Sequence, residues 1–202
     1  VGLYQITAGT LSAGPKYCIN FVPADFIITP KPISVFADEQ WKSYGMPDPL
    51  LTWSADPELF IGDSFTGSLD REKGEDAGKY RIVNKDLSAG DNYQIHFDDN
   101  ILHITPITLQ VFIENQTRVY GAANPPLTFS IEGFIEGDSL PDIDTPPDIR
   151  TSATNRSSVG NYSIVACCGE DNNYLFNYHP GNLSITPANL LIAANDQRCE
   201  WG

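Results

Sequence analysis

The sequence repeats itself, and that periodicity limits the fold more than any single motif does. Val1-Gly-Leu-Tyr-Gln-Ile-Thr returns as Ala77-Gly-Lys-Tyr-Arg-Ile-Val and as Val159-Gly-Asn-Tyr-Ser-Ile-Val, placing Tyr4, Tyr80 and Tyr162 at intervals of 76 and 82 residues. A second block comes after it each time: Lys16-Tyr-Cys-Ile-Asn-Phe, Asn92-Tyr-Gln-Ile-His-Phe and Asn173-Tyr-Leu-Phe-Asn-Tyr. Each copy closes on Ile-Thr-Pro, ending at Pro30, Pro106 and Pro187. The front half recurs as Tyr44-Gly45, Tyr120-Gly121 and Trp201-Gly202. The first two lead into Pro49-Leu-Leu-Thr-Trp-Ser with Gly62-Asp63, and into Pro126-Leu-Thr-Phe-Ser with Gly137-Asp138. The organisation predicted is the C-terminal part of one repeat (1–31), a complete repeat (32–106), a complete repeat with a longer loop (107–187) and the N-terminal part of the next (188–202). Both ends are expected to fall inside a repeat of a longer protein.

A repeat of about 76–82 residues must build its core from short elements. Tyr93, Ile95 and Phe97 alternate with polar residues, which is the period of a strand with one buried face. A two-residue loop at Asp99-Asn100 would make this a hairpin, with Phe97 opposite Leu102, Ile95 opposite Ile104, and His96 beside His103. The same rule sets Phe21 and Phe26 around Pro23-Ala24, and Tyr178 and Leu183 around Pro180-Gly181. Leu109-Gln-Val-Phe-Ile reads as an opening strand, Thr117 to Tyr120 as a shorter one, and Leu127-Thr-Phe-Ser-Ile and Tyr162-Ser-Ile-Val-Ala as two more. Six or so strands with Gly, Pro and Asn-Asp turns predict an all-β fold of tandem small β-sandwich (Ig-like) repeats. The alternative is a β-grasp-like repeat with a helical turn near Gly62-Asp63 and Gly137-Asp138. Ile104-Thr-Pro-Ile-Thr-Leu passes from last strand to first with almost no linker, and its proline stiffens the passage while removing a sheet donor.

The residues offer no catalytic machinery. Nucleophile elbows, phosphate-binding loops and clustered metal-ligating histidines are all missing, so no catalytic, cofactor-binding or metal residue is assigned. His96 and His103 would sit together in the proposed hairpin, but the sister repeats place Asn20 with Ile27 and Asn177 with Ser184 there, so an exposed polar pair is expected. Asp142, Asp144, Asp148 and the Glu170-Asp171-Asn172 loop offer oxygen ligands that suit calcium. Solvated turns are the preferred reading, since Asp and Asn satisfy turn backbones. Cys18, Cys167, Cys168 and Cys199 obey no repeat and no zinc spacing. Cys167 and Cys168 should point to opposite faces of a strand; buried free thiols are expected, with one disulfide in a secreted protein. Sequons lie at Asn115, Asn155, Asn161 and Asn182.

Charge narrows the partners. With 12 Lys+Arg against 26 Asp+Glu, the net charge of −14 repels nucleic-acid phosphates and anionic lipid. No run of apolar residues is long enough to span a bilayer as a helix.

Taken in order, Tyr-Gly-x-x-x-Pro, Leu-Thr-(aromatic), Gly-Asp-Ser, Gly-x-Tyr-x-Ile, Asn-Tyr-x-Ile-x-Phe and Ile-Thr-Pro resemble the MBG/YDG-type tandem repeats of large bacterial cell-surface proteins. The resemblance covers essentially the whole chain; Trp201 in place of the Tyr-Gly tyrosine and the stretch 139–158 depart from it. It implies an extracellular, cell-surface stalk or spacer of an adhesin or haemagglutinin-like protein, with neighbouring repeats of the same chain as partners and any glycan or protein ligand at a distal domain. The alternative is that the repeats themselves bind a glycan or protein, with the 139–158 loop of the second complete repeat as the place of contact.

Overall fold

The computed structural model describes residues 1–202. It is all-β apart from one turn of 3-10 helix at Leu140–Asp142. The chain divides into two compact units, Val1–Thr105 and Pro106–Gly202.

In the first unit a hairpin of β1 (Gly2–Ile6) and β2 (Ala24–Ile28) precedes a complete repeat. That repeat has seven strands: β3 (Lys31–Ala37), β4 (Gln40–Ser43), β5 (Trp53–Asp56), β6 (Leu69–Arg71), β7 (Gly78–Asn84), β8 (Tyr93–Asp98) and β9 (Asn100–Thr105). They form a three-stranded sheet in the order β5-β3-β8 and a four-stranded sheet in the order β4-β9-β7-β6. In the second unit β10 (Ile107–Ile113), β11 (Gln116–Val119), β12 (Phe129–Glu132), β13 (Asp148–Thr151), β14 (Gly160–Cys167), β15 (Tyr174–His179) and β16 (Gly181–Thr186) reproduce both sheets, as β12-β10-β15 and β11-β16-β14-β13.

Burial repeats along with sequence. β3 and β10 bury alternate residues in the same pattern, and β4 matches β11 as β5 matches β12. Alternation is what a pleated strand with one core face requires. Val35, Ala37, Leu69, Ile82, Leu87 and Leu102 make the main core of the first repeat, drawing on both of its sheets. Ile113, Ala153, Ile164, Leu183 and Ile185 form the matching cluster in the second. Each fully buried Ile or Leu contributes about 1.5–3 kcal/mol of transfer free energy.

The expected hairpin at Asp99-Asn100 does not form. β8 pairs in parallel with β3, whereas β9 pairs in parallel with β4 and antiparallel with β7, so β8 and β9 belong to different sheets. One long chain path bends at Asp99 from the first sheet into the second. The path through β3 and β4 bends beside it at Asp38-Glu39. Asn100 Nδ2 donates to the Ala37 carbonyl at 3.0 Å and ties the two bends together. In the second repeat the Asn182 N–H donates to Asn115 Oδ1 at 2.7 Å. The backbones come so close there that a Cβ on Gly181 would lie 2.7 Å from the Ile113 carbonyl oxygen. The alternation is the same as a hairpin would show, because Ile95 and Leu102 face one core from different sheets.

The two opening strands thus pair in parallel with the two closing ones, β3 with β8 and β4 with β9, and no helix crosses either sheet as the β-grasp alternative requires. The helical turn expected near Gly137-Asp138 forms slightly later, at Leu140–Asp142, and only in the second repeat.

The β1/β2 hairpin keeps the register of its sisters. Tyr4 opposes Phe26 as Tyr80 opposes Leu102 and Tyr162 opposes Leu183. Its apolar face is open: Phe26 is 57% exposed where Leu102 is 0%. Residues 188–202 form no strand or helix, and Leu190, Leu191 and Ile192 are exposed.

Candidate functional site

The polar residues that recur in both repeats converge on three small clamps, each made by joining blocks far apart in sequence. The first uses the Gly-Asp and Asn-Tyr blocks. The buried Tyr93 hydroxyl donates to Asp63 Oδ2 at 2.5 Å and accepts from the Phe60 N–H at 2.9 Å. Tyr174 does the same with Asp138 Oδ2 (2.6 Å) and the Ile135 N–H (3.3 Å). Burial, reinforced by the Asp63 hydrogen bond, pushes the Tyr93 phenol above its ordinary value. The second uses Leu-Thr. The Thr52 hydroxyl donates to Asp38 Oδ2 at 2.6 Å and accepts from Gln40 Nε2 at 3.1 Å. Thr128 donates to Glu114 Oε2 (2.5 Å) and accepts from Gln116 Nε2 (3.3 Å).

The third clamp centres on a buried cation that sequence reasoning missed. Lys42 on β4 and Arg118 on β11 occupy one place in the two repeats and are only 9% and 6% exposed. Lys42 Nζ meets Asp48 Oδ1 and Glu75 Oε2, both at 2.7 Å. Arg71 on β6 grips the same two carboxylates, with Nε 2.7 Å from Asp48 Oδ2 and Nη2 2.5 Å from Glu75 Oε1. Its Nη1 donates to the Gly74 carbonyl, and its guanidinium lies over the Tyr80 ring. Two cations alternate with two anions, so each charge taken from water regains a partner. The Arg71 hydrogen bond, more than that of Lys42, holds the Asp48 carboxyl below its usual range. Hydrogen bonds from Lys42 and then Arg71 do the same for Glu75.

Arg118 makes a neutral version of this clamp. Nε donates to Asn124 Oδ1 at 2.8 Å, Nη2 to the Thr154 carbonyl at 2.5 Å and Nη1 to the Val119 carbonyl at 3.3 Å. Asn124 Nδ2 then donates to the Ala153 carbonyl at 2.7 Å. The signal was legible as Gln-x-(Lys/Arg)-x-Tyr-Gly-x-x-(Asp/Asn)-Pro once Gln40 and Gln116 are aligned. Each clamp pins the loop after Tyr-Gly against the second sheet.

The histidines do not meet as the hairpin required. His96 neighbours Ser34 on β3, and His103 lies between Trp41 on β4 and Lys79 on β7. His103 stacks on Trp41 with centroids 5.0 Å apart, and its Nε2 is 2.7 Å from Glu39 Oε1. His179 stacks on Phe112 and contacts Gln110 Oε1 at 2.8 Å.

The acid-rich stretch of the second repeat is spent on turns. Asp142 Oδ2 accepts from both the N–H and the hydroxyl of Ser139. Asp171 accepts from the Asn173 N–H at 2.7 Å and the Asp144 N–H at 3.3 Å. Asp148 lies on β13 opposite Cys167. No three His, Cys, Asp or Glu side chains are grouped to hold a metal ion.

The cysteines depart from the expectation of buried free thiols. Cys167 is bonded to Cys168, while Cys18 and Cys199 are exposed. The two neighbours do not point to opposite faces because Cys168 leaves the strand at φ +66°, a conformation that turns the backbone sharply and that side-chain-bearing residues seldom adopt.

The family model for the MBG domain (YGX type) matches residues 33–103 and 109–184. These two stretches correspond to the two seven-strand repeats described above. No curated protein matches the chain.

Proposed function

We infer that this chain, which belongs to the MBG domain family of the YGX type, is a non-catalytic repeat segment of an extracellular bacterial surface protein and serves as the stalk or spacer of an adhesin. One observation carries the reading. The polar side chains that recur from repeat to repeat, Asp63/Asp138 with Tyr93/Tyr174, Thr52/Thr128 and Lys42/Arg118, all bind within their own repeat. A motif repeated for ligand binding would present such groups outward; here they hold loops to sheets. No helix is long and apolar enough to cross a membrane.

Residues 1–31 and 188–202 are read as parts of flanking repeats. β1 and β2 hold the register of β7 and β9, and Ala188-Asn-Leu-Leu-Ile aligns with the opening strand. Pro106 and Pro187, which close the last strand of each complete repeat, have a fixed φ and no N–H to donate to a ladder.

The test is small-angle scattering on proteins carrying two, four and eight consecutive complete repeats. The stalk reading expects the maximum dimension to rise in proportion to repeat number. A dimension that levels off, as in a collapsed particle, removes the spacer role.

A second reading, that a repeat binds ligand itself, is favoured by one feature of the first repeat. Trp41 is 56% exposed beside His103 and Glu39, and Thr117 replaces it in the second repeat. Exposed aromatic rings with polar neighbours suit the apolar face of a sugar or a protein side chain. Screening the intact chain and Trp41→Ala against an array of neutral glycans decides this: binding lost in the variant supports the second reading, and no binding by the intact chain dismisses it for glycans.

A further inference from the structure

The second repeat differs from the first at the turn after its long central strand. In the first repeat Asn84 closes that turn unaided: its Oδ1 accepts from the Leu87 N–H at 2.8 Å and its Nδ2 donates to the Leu87 carbonyl at 3.3 Å. Ser88 then exchanges two backbone hydrogen bonds with Thr66, at 2.8 and 2.9 Å. Ala166 stands in the place of Asn84 and has no group for this purpose. The covalent bond between Cys167 and Cys168 takes over instead.

Residues 169 and 170 follow the disulfide directly in the chain. The Gly169 N–H donates to the Tyr178 hydroxyl at 2.9 Å. Glu170 exchanges two backbone hydrogen bonds with Thr145, at 2.9 and 3.0 Å, which matches the Thr66–Ser88 pair of the first repeat. Thr145 belongs to the longer loop, whose Ile143 is buried and whose Pro147 side chain would lie 3.2 Å from a Cβ placed on Gly169. The loop and the turn are thus fitted to one another, and the disulfide fixes the turn. Cys168 is exposed and Cys167 half-buried, so a small thiol reagent reaches the bond.

We propose that Cys167–Cys168 is a reversible thiol–disulfide modification site that latches the extended 139–147 loop of the second repeat onto its central strand. The reductant is a small dithiol. One of its sulfurs attacks Cys168 Sγ as thiolate, the S–S bond breaks and Cys167 leaves as thiolate. The second reagent sulfur displaces Cys168, so the reagent departs as a cyclic disulfide and its two hydrogens end on the two cysteines. With the ring open, Cys168 is no longer held at positive φ, and the turn relaxes toward extended backbone.

Hydrogen exchange on the full chain, air-oxidised and then treated with dithiothreitol, tests this. The air-oxidised chain is expected to lack free thiols at 167 and 168, and reduction should add two hydrogens to its mass. The amides of Gly169, Glu170 and Thr145 should then exchange on the order of tenfold faster. Those of Thr66 and Ser88, in the cysteine-free first repeat, should not change. Cys168→Ser should show the fast exchange without reductant; should it fail to fold, the measurements on the unsubstituted chain stand alone. Free thiols at 167 and 168 in the oxidised chain, unchanged exchange after reduction, or equal acceleration at Thr66 and Ser88 would each overturn the proposal.

Discussion

Leu102→Ala is expected to melt the first repeat early while the second keeps its own transition. Leu102 is fully buried on β9, facing Tyr80 across the pairing with β7 and packed among Val35, Ile82 and Leu87. Truncation removes the apolar group and leaves a cavity that the rigid strands around it fill only in part, costing about 2–5 kcal/mol. In a repeat of this size each kcal/mol moves the melting temperature by roughly 4–8 °C, so the first transition should fall by on the order of 15 °C. Leu183, its counterpart, has its own core of Ile113, Ala153, Ile164 and Ile185. Differential scanning calorimetry of the two-repeat chain should therefore resolve two peaks in Leu102→Ala, with only the lower one displaced. A single peak that shifts as a whole would mean that the repeats are not separate folding units, which a modular spacer requires.

Breaking the ion cluster of the first repeat should be the next largest effect. Asp48→Ala leaves the buried Lys42 and Arg71 to share Glu75 alone. Removing one partner from a buried pair costs about 3–5 kcal/mol. Asp48 and Glu75 are partly in water, with side chains 38% and 71% exposed, so about 2–3 kcal/mol is the expected loss here. Asp48→Asn should cost less, because Asn124 already serves the equivalent cation in the second repeat. Urea denaturation of both variants measures this, and a loss below about 0.5 kcal/mol for Asp48→Ala would place the cluster among ordinary surface pairs.

The cluster also makes the first repeat sensitive to acid. Asp48 and Glu75 have folded-state pKa values below their unfolded ones. Their stabilisation is therefore complete above the ordinary carboxylate range and is lost as pH falls through the folded values, below about pH 4. Lys42 behaves in the opposite sense. Burial works against its charge, but the hydrogen bonds and attraction of Asp48 and Glu75 outweigh it and raise the pKa. Its contribution is present below the ordinary lysine value and is lost only above about pH 10.4. The Arg118 clamp uses an amide and carbonyls, which do not titrate. Acid should thus lower the first transition further than Asp48→Ala does by itself at neutral pH, and should lower it less in that variant than in the parent chain.

Much of the architecture was legible because the repeat displays each strand more than once. Tyr-x-Ile and Ile-Thr-Pro alternate with period two, and turns fall at Gly, Pro and Asn between them, so all-β repeats could be inferred from local rules, while the MBG kind rested on the resemblance of the ordered blocks. The hairpin failed at Asp99 because alternation reports which face of a strand is buried and says nothing of its partner. Tyr93, Ile95 and Phe97 face the core equally well beside β3 or beside β9. The clamps were hidden for a related reason. Gly62-Asp63 and Asn92-Tyr93 were both seen as blocks, but that one carboxylate meets the other's hydroxyl across 30 residues is a matter of distance in space. Lys42 and Arg118 were missed because nothing local marks a long charged side chain as buried.

The sequence by itself determined the repeat, its length, its strands and the lack of any recurring catalytic pattern, since these depend on composition and period along the chain. Only the tertiary structure decided that the two opening strands pair in parallel with the two closing ones in separate sheets, that the repeated polar residues close clamps within each repeat, and that Cys167 bonds to its neighbour. The reason is physical: period records which residues avoid water, while partners are selected by geometry between segments far apart in the chain.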